Sequence, residues 1–142
     1  MALVFHSSLL IACLIIAGIY LFAISLIFYL IERKMHLSSQ IPQEMIENFT
    51  FSWFIINFIM EFMFFVAIPA MAFGFFYVIL PLDAIRAGMA VALTALILGA
   101  IPFMMGLTMR IKFPLPFILF NLLSYLLKAS GAVIIIGYLY SL

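Results

Sequence analysis

The chain alternates between long apolar runs and short polar connections. Four stretches, residues 3–31, 50–80, 84–109 and 115–140, each exceed the ~20 residues a helix needs to cross a bilayer. The first contains no Asp, Glu, Lys or Arg, and the other three contain one each: Glu61, Arg86 and Lys128. The pattern predicts an all-α integral membrane bundle of four transmembrane helices, forming a single domain over residues 1–142. The surplus length predicts tilt or protruding ends.

The breaks between the runs support the same division. "ERKMHLSSQIPQEMIEN" (32–48) is the one long connection. Pro42 within it is placed to start a short interfacial helix, with Glu44 and Glu47 near its positive end. "PLDAIR" (81–86) reads as a tight turn in which Asp83 caps the third helix. "RIKFPLP" (110–116) is a second tight turn, with its prolines at the start of the fourth helix. Arg33, Lys34, Arg110 and Lys112 fall on one side of such a bundle, and Arg86 on the other. The positive-inside rule then predicts that loops 32–49 and 110–114 face the cytoplasm and both termini face outside.

Two spans carry polar residues where lipid would not tolerate them. Asn121, Ser124, Tyr125 and Lys128 are spaced i, i+3, i+4, i+7, which places them on one face of the fourth helix. A lysine near the bilayer centre costs roughly 2.5–3.5 kcal/mol on insertion scales, so this face must meet protein or water. The second span has the matching feature: Asn57 and Glu61, at i, i+4. Glu61 lies ~16 Å and Lys128 ~20 Å from the same end of the bundle at 1.5 Å per residue. The depths predict a Glu61–Lys128 contact, with Asn57, Asn121, Ser124 and Tyr125 filling the remaining hydrogen-bond positions.

Two other faces are visible. Gly88, Ala92, Ala95, Gly99 and Gly106 recur on the third span at three, four or seven residues, as expected of a close helix-packing surface. Phe51, Phe54, Phe58, Phe62 and Phe65 form a stripe on the second span, about 100° round from Glu61, and are expected to face lipid or a partner. Pro69 and Pro102 interrupt the second and third spans and predict kinks.

Composition narrows the function. Hydrophobic residues make up 70% of the chain and charged residues 8%, against about 25% charged in a soluble domain. The net charge of +1 offers no basic face for nucleic acid. No phosphate loop, zinc pattern or nucleophilic triad occurs, so no catalytic residue, cofactor or metal is assigned. The expected partners are the lipid bilayer and other membrane subunits or copies of this chain. The leading expectation is a non-catalytic subunit or assembly element of a membrane complex. The alternative is a small oligomeric transporter or channel for an ion, proton or polar solute, built on the Glu61/Lys128 cluster.

Overall fold

The computed structural model describes residues 7–46, 50–76 and 84–141. Every regular element among them is helical. Four helices are long and apolar enough to cross a membrane: Ser7–Met35, Phe51–Ala72, Ile85–Arg110 and Leu115–Ser141. Residues 3–6 and 77–80 of the expected spans, the expected cap Asp83, and Glu47 lie outside the described residues.

The first helix runs a full turn past the expected end at Ile31 and takes in Glu32, Arg33 and Lys34. Two cations in its last turn suit the negative end of the helix dipole. It stops where His36 adopts a left-handed conformation (φ 49°), a region where histidine is enriched among non-glycine residues. The connection then makes two short 3-10 turns, Leu37–Gln40 and Gln43–Met45. The interfacial helix expected after Pro42 is thus a single turn. Three residues from Gln43, the chain is already extended at Ile46. Thr50 starts the second helix, its hydroxyl accepting from the Trp53 amide at 3.2 Å.

Both prolines act through the turn that precedes them. The second helix widens into a π-turn at Met63–Ala67 and the third at Leu96–Ala100. Each π-turn leads into the same three residues, Ala67-Ile68-Pro69 and Ala100-Ile101-Pro102. In each, the isoleucine amide reaches back five residues, Ile68 to the Met63 carbonyl and Ile101 to Leu96. Proline has no amide hydrogen and its ring collides with the carbonyl four residues earlier, so a wider turn is the local solution.

The fourth helix is the centre of the bundle. It packs against the first helix, against the second from its π-turn onward, and against the third from Ala84 to Ala100. A close-packed apolar cluster of Cys13, Ala17, Leu21, Val66, Ala70, Ala132 and Ile136 fills the half farther from the 37–46 connection. Small residues let the backbones approach there, which is how membrane helices gain dispersion contacts. The Tyr20 hydroxyl donates to the Leu127 carbonyl at 2.9 Å, below this cluster. Gly131 makes room for it, since a Cβ there would run into the Tyr20 ring.

The small-residue face of the third helix divides in two. Gly88 and Ala92 are buried, and a Cβ on Gly88 would come within 3.0 Å of the Ile134 backbone. Ala95 is half-buried. Gly99 and Gly106 have nothing within 4 Å of a built Cβ. The division falls at the π-turn. One extra residue in a turn swings every later side chain about 100° round the axis.

The phenylalanine stripe corrects a sequence expectation. Phe51 is 78% exposed, but Phe54, Phe58, Phe62 and Phe65 face inward. Phe22 of the first helix meets Phe54 and Phe58 edge-on, with ring centroids at 5.9 and 5.4 Å. Phe62 lies over Gly18, and Phe65 meets Tyr125 edge-on at 5.1 Å. The stripe is therefore the seam between the second helix and its neighbours. Phe22 and Gly18 supply a bulky knob and a gap on the first helix that complement it.

Candidate functional site

Glu61 and Lys128 meet as the depth argument requires. The Lys128 ammonium donates to Glu61 Oε1 at 2.6 Å, with 10% of the lysine side chain and 19% of the glutamate side chain exposed. Asn57, one turn before Glu61 on the same helix, donates to the same oxygen at the longer distance of 3.4 Å. Ser25 of the first helix donates to Glu61 Oε2 at 2.9 Å. Both carboxylate oxygens are thus bonded, by groups on the first, second and fourth helices. Among the described residues, Glu61 is the only hydrogen-bond partner of Lys128. An ammonium carries three donors, so this one keeps donor capacity beyond the pair.

The other expected members are nearby but play different parts. The Asn121 amide turns back to the Phe117 carbonyl of its own helix at 2.8 Å, one turn below Tyr125. Ser124 is buried beside the pair. Tyr125 packs its ring on Phe65. Ser25 is the residue that sequence reading missed. A signal existed: it is the only serine of the first apolar run beyond Ser8. It lies ~15 Å from the end of its helix at 1.5 Å per residue, close to the depth inferred for Glu61.

Two cavities flank the pair. The larger, about 820 Å³, lies between the first, second and fourth helices and extends from the pair to the 37–46 connection, where Ser38, Ile41, Met45 and Ile46 line it. Ser25, Asn57, Glu61, Asn121, Ser124 and Lys128 form its floor, and Glu32 and Arg33 stand at its mouth. Between floor and mouth its walls are aromatic, chiefly Phe28, Tyr29, Phe54, Phe58, Phe117 and Phe120. The smaller cavity, about 310 Å³, opens between the second, third and fourth helices, where Ala100, Phe103 and Met104 line it. Glu61, Asn121, Ser124 and Lys128 line both cavities. On the far side of the pair, the apolar cluster around Leu21 and Ile136 closes the bundle.

Chemically, this arrangement presents an ion pair and the side-chain amides of Asn57 and Asn121 to the space between the helices. Among the described residues, no group of three or more His, Cys, Asp or Glu side chains is placed to hold a metal ion. Compared with known proteins, the chain matches no family model, no curated protein and no solved structure. What the fold and site define is a class: a four-helix membrane protein whose buried ion pair lines a cavity between three helices.

Proposed function

We propose that the protein binds a small molecule within the membrane at Glu61–Lys128, in the manner of a small transporter open towards its 37–46 connection. The observation that carries this reading is the pair's position, at the floor of one cavity and in the wall of a second. A pair that served only to hold register has no need of a cavity of about 820 Å³, a volume inside the roughly 300–1,000 Å³ range of ligand sites. The π-turns support it too. One begins two residues after Glu61 and the other borders the smaller cavity, and such turns recur at functional sites. By the charge asymmetry of the connections, the open side is the cytoplasmic one, with both termini outside.

The test is solvent access at the floor. In a chain whose single cysteine is replaced (Cys13→Ala), Asn57→Cys should react quickly with a membrane-impermeant maleimide applied from the side of the 37–46 connection. It should react more slowly from the other side, through a minor state open that way. Reaction from the first side only would leave a binding site and overturn carriage. No reaction from either side would overturn the site itself.

One observation favours a second reading, the assembly element that the sequence brings forward first. From Ile101 to Arg110 the third helix leaves its packing on the fourth, and Phe103, Met105 and Met109 stand exposed there. Native mass spectrometry after gentle extraction distinguishes the two. A stable complex with different chains supports assembly, and a chain found alone or only with its own copies supports carriage.

A further inference from the structure

The lining of the larger cavity also identifies the kind of molecule it takes, on the reading that it is a binding site. We propose that the ligand is an uncharged amphiphile. Its apolar body lies along the aromatic walls, and a carbonyl or hydroxyl oxygen at its head accepts a hydrogen bond from Lys128.

Three observations carry this. The first is charge. Glu32, Arg33, Glu61 and Lys128 are the charged groups lining the cavity, and they sum to zero. At the floor the cation is already matched by a carboxylate at 2.6 Å. A charged head would add a third charge to a neutral pair in a low-dielectric site, where an uncompensated charge costs most. The second is the direction of the remaining hydrogen bonds. Both Glu61 oxygens already accept bonds, whereas Lys128 keeps ammonium donors beyond the one it gives Glu61. The charged donor left at the floor is therefore this ammonium, and what meets it is an acceptor oxygen, with the Asn57 and Asn121 amide oxygens free to accept from the same head. The third is the wall. Phe28 and Phe120 meet edge-on at 5.3 Å, and Phe113 and Phe117 stack at 5.7 Å. These rings form an apolar sleeve between two polar ends. From Ser25 to Arg33, eight residues of helix give that sleeve a length of ~12 Å, which suits a chain or ring system rather than a small ion. Met45, Ile46 and Trp53 at the mouth are apolar and exposed, as an amphiphile arriving from the membrane surface requires.

The chain has one tryptophan, and Trp53 lines this cavity, so its fluorescence reports occupancy directly. The purified protein in lipid nanodiscs is titrated with four probes of twelve carbons each: dodecanamide, dodecanoate, dodecylammonium and dodecane. The expected result is a saturable change with dodecanamide, at an affinity about tenfold or more above the other three, the worth of one good hydrogen bond. In the double variant Glu61→Leu, Lys128→Met, which removes the pair without stranding a charge, the preference for dodecanamide over dodecane should vanish. A preference for dodecanoate or dodecylammonium overturns the uncharged class while leaving the site standing. Saturation by none of the four overturns the site as well. A preference for dodecanamide that survives in the double variant overturns the assignment of the head to Lys128.

Discussion

At the scale of single residues, the decisive fact is that a lysine inside a membrane bundle is matched rather than merely tolerated. Breaking a buried pair by removing one partner strands the other charge, whereas replacing both can be close to neutral. Glu61→Ala and Lys128→Ala are therefore each expected to destabilise the protein by about 3 kcal/mol, and the double variant by clearly less than their sum. Denaturant titration of all four species in one detergent measures the coupling. Additive losses would mean that the 2.6 Å contact contributes nothing. Glu61 was legible as half of this pair because two residues at matching depth carry opposite charge. Ser25 was harder to find, since a serine in an apolar run is ordinary and becomes informative only when its hydroxyl is seen on Glu61 Oε2.

At the scale of the helix, the same residue type has opposite value on the two sides of a π-turn. Gly88 lies against the Ile134 backbone, where a Cβ would fall within 3.0–3.1 Å of main-chain atoms that cannot rotate away. Gly88→Ala should push the third and fourth helices apart and cost about 1–3 kcal/mol, the usual penalty for overpacking. Gly99 stands in open space, so Gly99→Ala should be neutral or stabilising by up to about 1 kcal/mol through helix propensity. Thermal unfolding of both variants in the same detergent checks the contrast. Equal effects would show that the third helix packs uniformly. Sequence spacing placed both glycines on one face because it assumed a constant 3.6 residues per turn. The widened turn before Pro102 breaks that assumption.

At the scale of the whole molecule, the bundle has a closed half and an open half. The closed half is the apolar cluster that contains Cys13, which has no exposed surface. Its thiol should therefore react with a membrane-permeant maleimide no faster in the folded protein than the minor far-side opening allows, and quickly once the bundle unfolds. Labelling followed by mass spectrometry across a denaturant series should track global unfolding. Rapid labelling without denaturant would show that the closed half opens locally. The open half holds the ion pair and the aromatic sleeve. Carriage would require the cluster around Leu21 and Ile136 to loosen on the far side of Lys128, and the two Ala-Ile-Pro π-turns are the places where the second and third helices are least constrained by regular hydrogen bonding.

Hydrophobic patterning by itself determined the class of this protein: its length of apolar run per span, the four helices, and the opposed charges at a common depth. These follow from local physics, because a bilayer demands ~20 apolar residues and an internally bonded backbone wherever the chain crosses it. Only the tertiary structure decided which faces meet. It turned the phenylalanine stripe from the lipid to the first helix, divided the glycine face at a π-turn, brought Ser25 to Glu61, and left a cavity between three helices rather than a sealed core. The reason is that lipid and protein interiors are nearly equally apolar. Hydrophobicity therefore cannot say which apolar face is buried, and shape complementarity between particular side chains such as Phe22, Gly18 and Phe62 must.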